Sequence, residues 1–320
     1  MSHAGARWLL PGGILLLAIT VVLSAYYPTI FSAVQLWATH KTYGYAFVVL
    51  PIVVFLVWRD RAFFANAAPR PTIHGAAIAV AFSALWLAGA RLHILEMQHL
   101  ALPGMLVGLI VSAIGWSNAA RVWLPLAYLF LLAPAGTPLL PYLQDVATFL
   151  ATVFLQMGQI PFYAEGYTIE VATGKYVIAP GCAGLNFILA LATVAPLFCV
   201  LMYNTWSKRI AVLAVMMIVV PIANGFRVFA IIAIAEYTNR AIDIAADHLL
   251  YGWLFFSLIV LVMFWIGSFF ADPIAPLPLP TAAQGSGIER SNINDRSVLG
   301  RLIFVLAAVT VICIVPALLV

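Results

Sequence analysis

Residues Leu143 to Phe162 read LQDVATFLATVFLQMGQIPF, and whether this stretch crosses a membrane decides how the whole chain is threaded. It is long enough to cross, because about 20 apolar residues in a helix span about 30 Å of hydrocarbon. Yet Gln144, Thr148, Thr152 and Gln156 recur at every fourth position, which puts them on one stripe of a helix. An amphipathic helix lying in the membrane interface carries such a stripe. The choice rests on what surrounds it.

The surroundings are almost continuous hydrocarbon. Of 320 residues, 65% are hydrophobic and 8% charged, so the chain lacks the polar surface of a soluble globule and reads as an integral membrane protein. In lipid every backbone polar group needs an internal partner, which leaves helices or a closed barrel. Apolar runs near 9–27, 44–58, 75–90, 101–117, 122–134, 184–203, 210–234, 249–270 and 299–319 predict an all-α, polytopic transmembrane helix bundle of about eight or nine spans. The run after Arg7 is read as the first span and not as a signal peptide, since many spans follow it.

Short loops carrying Lys and Arg belong on the cytoplasmic side. That rule puts Arg7, the Arg59/Arg61/Arg70 loop, Arg121, Lys208 with Arg209, and the Arg290/Arg296/Arg301 region inside. The sides alternate only if residues 135–183 stay wholly outside, so Leu143–Phe162 is expected to lie along the outer interface. Between it and Cys182, the β-rich runs Tyr167–Val171 and Lys175–Ile178 flank Ala172-Thr173-Gly174 and predict a small extracytoplasmic β-hairpin. Downstream, residues 271–298 pass from proline-rich to polar and glycine-containing, as in a cytoplasmic linker. The expected organisation is a transmembrane core over 1–270, that linker, and a separable additional span over 299–320.

Net charge is +4, from 15 basic and 11 acidic residues scattered singly, which argues against nucleic acid as a partner. Of the three cysteines, Cys199 and Cys313 lie inside apolar runs, whereas Cys182 sits in YVIAPGCAGLNF at the head of a span. Pro180 and Gly181 set up the turn there, and Gly184 allows close backbone approach. Unpaired N–H groups at a helix N-terminus favour an anion on sulfur and can receive an oxyanion. Arg227, 18 residues after Arg209, rises about 27 Å and is expected at the outer end of its helix, with Asn224 one turn earlier on the same face. His248 opens the next span, on the same side, with Asp243 and Asp247 near enough to orient its ring. Singly, each has a plainer explanation: packing for Cys182, an interfacial anchor for His248, helix neutralisation for Arg227. Together they supply a nucleophile, a cation and a base at one depth.

The motifs Pro-Gly-Cys182-Ala-Gly184, Asn224-x-x-Arg227 and His248-x-x-x-Gly252 occur in order at the outer ends of successive spans. In this they resemble the exosortase/archaeosortase family of membrane-embedded cysteine transpeptidases, mainly over residues 160–270. The resemblance implies a sorting enzyme of the bacterial cytoplasmic membrane, acting on its outer face. Its substrates would be exported proteins that end in a short motif, an apolar span and a basic tail, cut through a thioester and passed to a surface acceptor such as a lipid or glycan. It also implies Cys182 as nucleophile, Arg227 as the essential cation and His248 as general acid and base, with no cofactor and no metal. Family members that recognise Pro-Glu-Pro often carry Ser after the cysteine, where this chain has Ala183.

Glu165, Glu170 and Lys175 on the hairpin are candidate substrate contacts, although solvated loop charges explain them as well. His93, Glu96 and His99 recur every three residues, a spacing that drifts around a helix and fits interfacial side chains better than metal ligands. The competing non-enzymatic reading is a transporter or assembly subunit for envelope polysaccharide, with Arg227 and Asn224 lining a pathway.

Overall fold

The computed structural model describes residues 3–239, 248–273 and 296–319. It is a polytopic helical bundle: among the described residues, eight helices are long and apolar enough to cross a membrane. The chain divides into two compact units, Met1–Ala135 with Pro280–Val320, and Gly136–Leu279.

The first unit contains α1 (His3–Ala25), α2 (Tyr27–Thr39), α3 (Ala46–Arg59), α4 (Arg61–Asn66), α5 (His74–Leu92), α6 (Leu95–Ile114), α7 (Trp116–Arg121) and α8 (Trp123–Leu129). The runs read as spans at 44–58 and 122–134 become α3 and the short apolar helix Trp123–Leu132, neither long enough to count among the eight. Helix α6 starts at Leu95, earlier than expected, because its first turn holds the polar Glu96, Gln98 and His99, which mask it in a hydropathy reading.

The second unit opens with a 3-10 turn, Thr137–Leu139, and α9 (Leu140–Met157), the helix of the opening stretch. Its polar stripe does not face water as a whole: Gln144 is buried, Thr148 and Thr152 are half-buried, and Gln156 alone is exposed. Thr148 and Thr152 satisfy their hydroxyls on the carbonyls of Gln144 and Phe149. The outward face carries Val146, Phe149 and Met157, which suits lipid. Thr137–Met157 has the length and composition for a crossing, at a mean hydropathy of 1.3.

After α9 come β1 (Tyr163–Glu165), β2 (Thr168–Val171) and β3 (Gly174–Val177), an antiparallel sheet in the order β1-β2-β3. The expected hairpin is β2–β3, with Glu170 opposite Lys175. The added strand β1 is three exposed residues, too short for its alternation to be read. Three helices complete the unit: α10 (Leu185–Met202), α11 (Trp206–Tyr237) and α12 (His248–Ser268).

Helices α10 and α12 run side by side, with Phe187 stacked on Phe256 and Phe198 on Phe264, both at 4.5 Å. Leu191 and Ala195 of α10 share a core with Met216 and Val220 of α11. On its other side α11 receives α9: Phe154 meets Phe226 and Phe229, and Gly158 meets Phe229. Leu150 lies against Gly225, so α9 and α11 run in the same sense where they touch. The sheet that follows α9 therefore reaches the C-terminal end of α11, where a Glu236 carboxylate oxygen accepts from the Thr173 N–H (3.1 Å) and hydroxyl (2.7 Å).

The last helix, α13 (Arg296–Leu318), belongs to the first unit. It is no appendage: Leu302, Val305, Leu306, Val309 and Cys313 form a stripe at helical spacing buried in that unit's core. The Tyr26 hydroxyl donates to the Cys313 carbonyl. Of the linker expected at 271–298, residues 274–295 lie outside the described residues.

Candidate active site

The segment from β3 to α10 is held on both sides. Ile178 donates its N–H to the Tyr167 carbonyl (2.8 Å), and its own carbonyl accepts from Nε2 of the buried Gln144 on α9 (2.7 Å). A buried amide side chain spent on one backbone carbonyl fixes where the next turn begins. That turn is a 3-10 turn, Pro180–Cys182, in which the Cys182 N–H is taken by the Ala179 carbonyl (2.7 Å) and the Ala183 N–H by that of Pro180 (3.3 Å). The N–H of Cys182 itself is therefore committed. The N–H groups left without intrahelical acceptors are those opening α10, which starts three residues later at Leu185.

Gly184 ends the turn in the left-handed region, at φ +85°, where a side chain is strained. A Cβ there would also lie 2.8 Å from Cγ of Asn224. The close approach lets Asn224 Nδ2 donate to the Cys182 carbonyl at 3.0 Å. Gly181, in contrast, has φ outside the left-handed region and nothing within 4 Å of its would-be Cβ. The turn does not depend on it being glycine.

Arg227 stands one turn beyond Asn224 and is buried, 7% exposed. It stands beside the turn that carries Cys182, one helical turn from the Asn224 amide that holds the Cys182 carbonyl. On another side its Cζ lies 5.3 Å from the centre of the Phe187 ring. Gly252 completes the enclosure: a Cβ on this residue of α12 would come within 2.5 Å of Arg227 Nη1. Among the described residues no carboxylate pairs with Arg227, and its Nε is buried without an acceptor. Asn224 Oδ1 is likewise buried without a donor.

Arg227 is not at the end of its helix, as the sequence reading expected. It rises about 32 Å from Trp206, roughly one bilayer, and α11 then continues for ten residues to Tyr237. The apolar run read at 210–234 already passes Arg227, and the helix adds three residues to it. The continuation carries Glu236, which anchors the sheet.

The structure thus brings together Cys182, Gly184, Asn224, Arg227 and Gly252. His248 is the first residue of α12, one turn before Gly252, while its imidazole, Asp243 and Asp247 lie outside the described residues. Glu170 and Lys175 meet each other at 3.2 Å on the exposed sheet, and Glu165 is exposed on β1. Of the histidine series, His93 caps α5 in a left-handed conformation, whereas His99 is buried with its Nε2 2.8 Å from the Ser32 hydroxyl. Among the described residues no three His, Cys, Asp or Glu side chains gather as metal ligands. Gln144 and Glu236 are the supports that sequence reasoning passed over. Gln144 was visible as the first polar residue of the α9 stripe, but nothing local pointed to Ile178.

A family model, that of the transmembrane exosortases (Exosortase_EpsH), matches residues 37–265. No curated protein and no solved structure matches the chain.

Proposed function

The chain belongs to the transmembrane exosortase family, and from that premise we propose that it is a cysteine transpeptidase whose nucleophile is Cys182. The observation that carries this reading is the buried Arg227 guanidinium, which has no carboxylate partner among the described residues and stands one turn from Asn224, the residue that holds the Cys182 carbonyl. A fixed cation in a water-poor site is worth most where negative charge develops.

The Cys182 thiol passes its proton to His248, and the sulfur attacks the scissile carbonyl carbon, forming a C–S bond while the π electrons move onto oxygen. Arg227 and the free N–H groups opening α10 stabilise that oxyanion. Collapse breaks the C–N bond, and His248 gives the leaving amine its proton, leaving a thioester. An acceptor amine or hydroxyl, or water, then attacks the thioester, gives its proton to His248 and expels the Cys182 thiolate, which takes that proton back.

Substrates in this reading are exported proteins that end in a short motif, an apolar span and a basic tail, and the acceptor is a surface lipid or glycan. With α9 lying along the outer interface, the distribution of Lys and Arg in the loops supports a cytoplasmic-membrane protein whose site faces outward. Glu165, Glu170 and Lys175 are proposed as outer contacts for the extended substrate.

The test is co-expression with a tagged exported protein of that design from the same genome. Wild type is expected to shift its mobility, and Cys182→Ala, Arg227→Ala and His248→Ala each to abolish the shift at normal enzyme level. A shift that survives Cys182→Ala removes the nucleophile, and no shift in wild type favours the transport or assembly role.

A further inference from the structure

Beside Arg227 a cleft of about 340 Å³ opens between α11 and α12. Its α11 wall is Arg227, Ala230, Ile231 and Ile234, the i, i+3, i+4, i+7 stripe of one helix face over two turns. Burial orders the cleft from floor to rim. Arg227 and Gly252 are buried, whereas Ile234, Leu254 and Leu258 are 37%, 61% and 59% exposed. Apart from Arg227, the α11 wall is aliphatic, and the rim opens onto a surface of exposed large hydrophobics, the kind of face that meets lipid.

We propose that this cleft is the lateral entry for the substrate, and that it holds the apolar membrane segment of the protein to be cut where that segment meets the scissile bond. The inference rests on the proposed function. Two independent observations select this occupant. The floor residue Arg227 stands one turn from Asn224, which holds the Cys182 carbonyl, so whatever fills the cleft ends beside the turn that carries the thiol. Arg227 is also more than nine-tenths buried and keeps an Nε donor without an acceptor. A hydrocarbon chain would fill the walls and leave that donor unpaired, which is expensive in a dry site. An apolar polypeptide whose last turn unwinds at the floor fills the walls with side chains and offers a backbone carbonyl to Nε. Gly252, with no side chain, leaves the room in which the guanidinium sits at the floor.

The experiment places a photo-crosslinking amino acid at Ile234 or Leu258 on the rim, and at Ile218, exposed on α11 outside the cleft, as control. The full chain carries Cys182→Ala, so that a tagged substrate with motif, span and basic tail is bound and not cut. The expected result is a substrate adduct from either rim position at least tenfold above that from Ile218, lost when the substrate lacks its apolar span. Adducts to phospholipid alone, or substrate adducts equal at rim and control, overturn the proposal. Processing of the same substrate by wild type is scored separately. Processing without rim adducts rejects the cleft and leaves the proposed function standing. Rim adducts without processing support the cleft and reject the chemistry.

Discussion

Asn224 holds Cys182 by its backbone: Nδ2 on α11 donates to the Cys182 carbonyl at 3.0 Å, joining residues 42 apart in sequence. The bond leaves the thiol free while fixing the turn that presents it. Removing it costs about 1 kcal/mol of hydrogen bonding, and an error of about 1 Å in a reacting group costs about 100-fold in rate. Asn224→Ala is therefore expected to slow substrate processing at least tenfold at normal enzyme level. Asn224→Asp should be no better, since a carboxylate cannot donate to the carbonyl and stands one turn from Arg227. Processing by Asn224→Asp at the wild-type rate would show that the donor is not needed.

Gly184 and Gly181 lie three residues apart and make opposite predictions. At Gly184 the left-handed backbone alone costs a side chain about 1–2 kcal/mol, before the collision with Asn224 is counted. Gly184→Ala should lower the thermal midpoint in detergent by several degrees and abolish processing. Gly181→Ala should match wild type in both. Equal damage from the two would mean that the turn is needed for something other than these contacts.

Much of this site is legible in the sequence because its parts mark places where hydrocarbon stops. Cys182 interrupts apolar sequence at a helix start, Arg227 is a cation inside an apolar run, and Gly252 follows His248 by one turn. Each is a local signal that the cost of polar groups in lipid makes conspicuous. What stayed hidden needs a partner far along the chain. Gln144 reaches Ile178 across 34 residues and Glu236 reaches Thr173 across 63. No periodicity announces such pairings. The stripe on α9 was visible, but whether it faced water or protein depended on α11 packing against it. The place of α13 was hidden for the same reason: an apolar helix reads alike whether its neighbours are lipid or other helices.

Gly252 makes room for Arg227, and the two should therefore be coupled energetically. A methyl at position 252 would stand 2.5 Å from Nη1 and displace the guanidinium. Gly252→Ala is expected to reduce processing about 100-fold in the wild-type background. In an Arg227→Lys background, where the planar head is gone, the same substitution should add little. Measured as a double-mutant cycle, the two losses should be strongly non-additive. Additive losses would place the effect of Gly252 elsewhere on α12.

Asp272 closes the opposite end of the same helices, and its stabilising effect depends on pH. Its carboxylate pairs with Lys208 and accepts the Asn204 N–H at 2.7 Å, so it joins the segment after α12 to the α10–α11 turn. These bonds, with Lys208 the foremost cause, hold the carboxyl below its ordinary value of 3.8. A carboxyl whose folded value lies below its unfolded one stabilises the fold above the unfolded value and loses that contribution as pH falls through the folded one. Wild type should then unfold at a higher temperature than Asp272→Asn at pH 7. The difference should shrink once the pH drops below about 4. Thermal unfolding in detergent micelles at pH 7, 5, 4 and 3, at one ionic strength, checks this. A difference that stayed constant to pH 3 would rule out the carboxylate's charge as its source, because asparagine removes that charge with little change in shape.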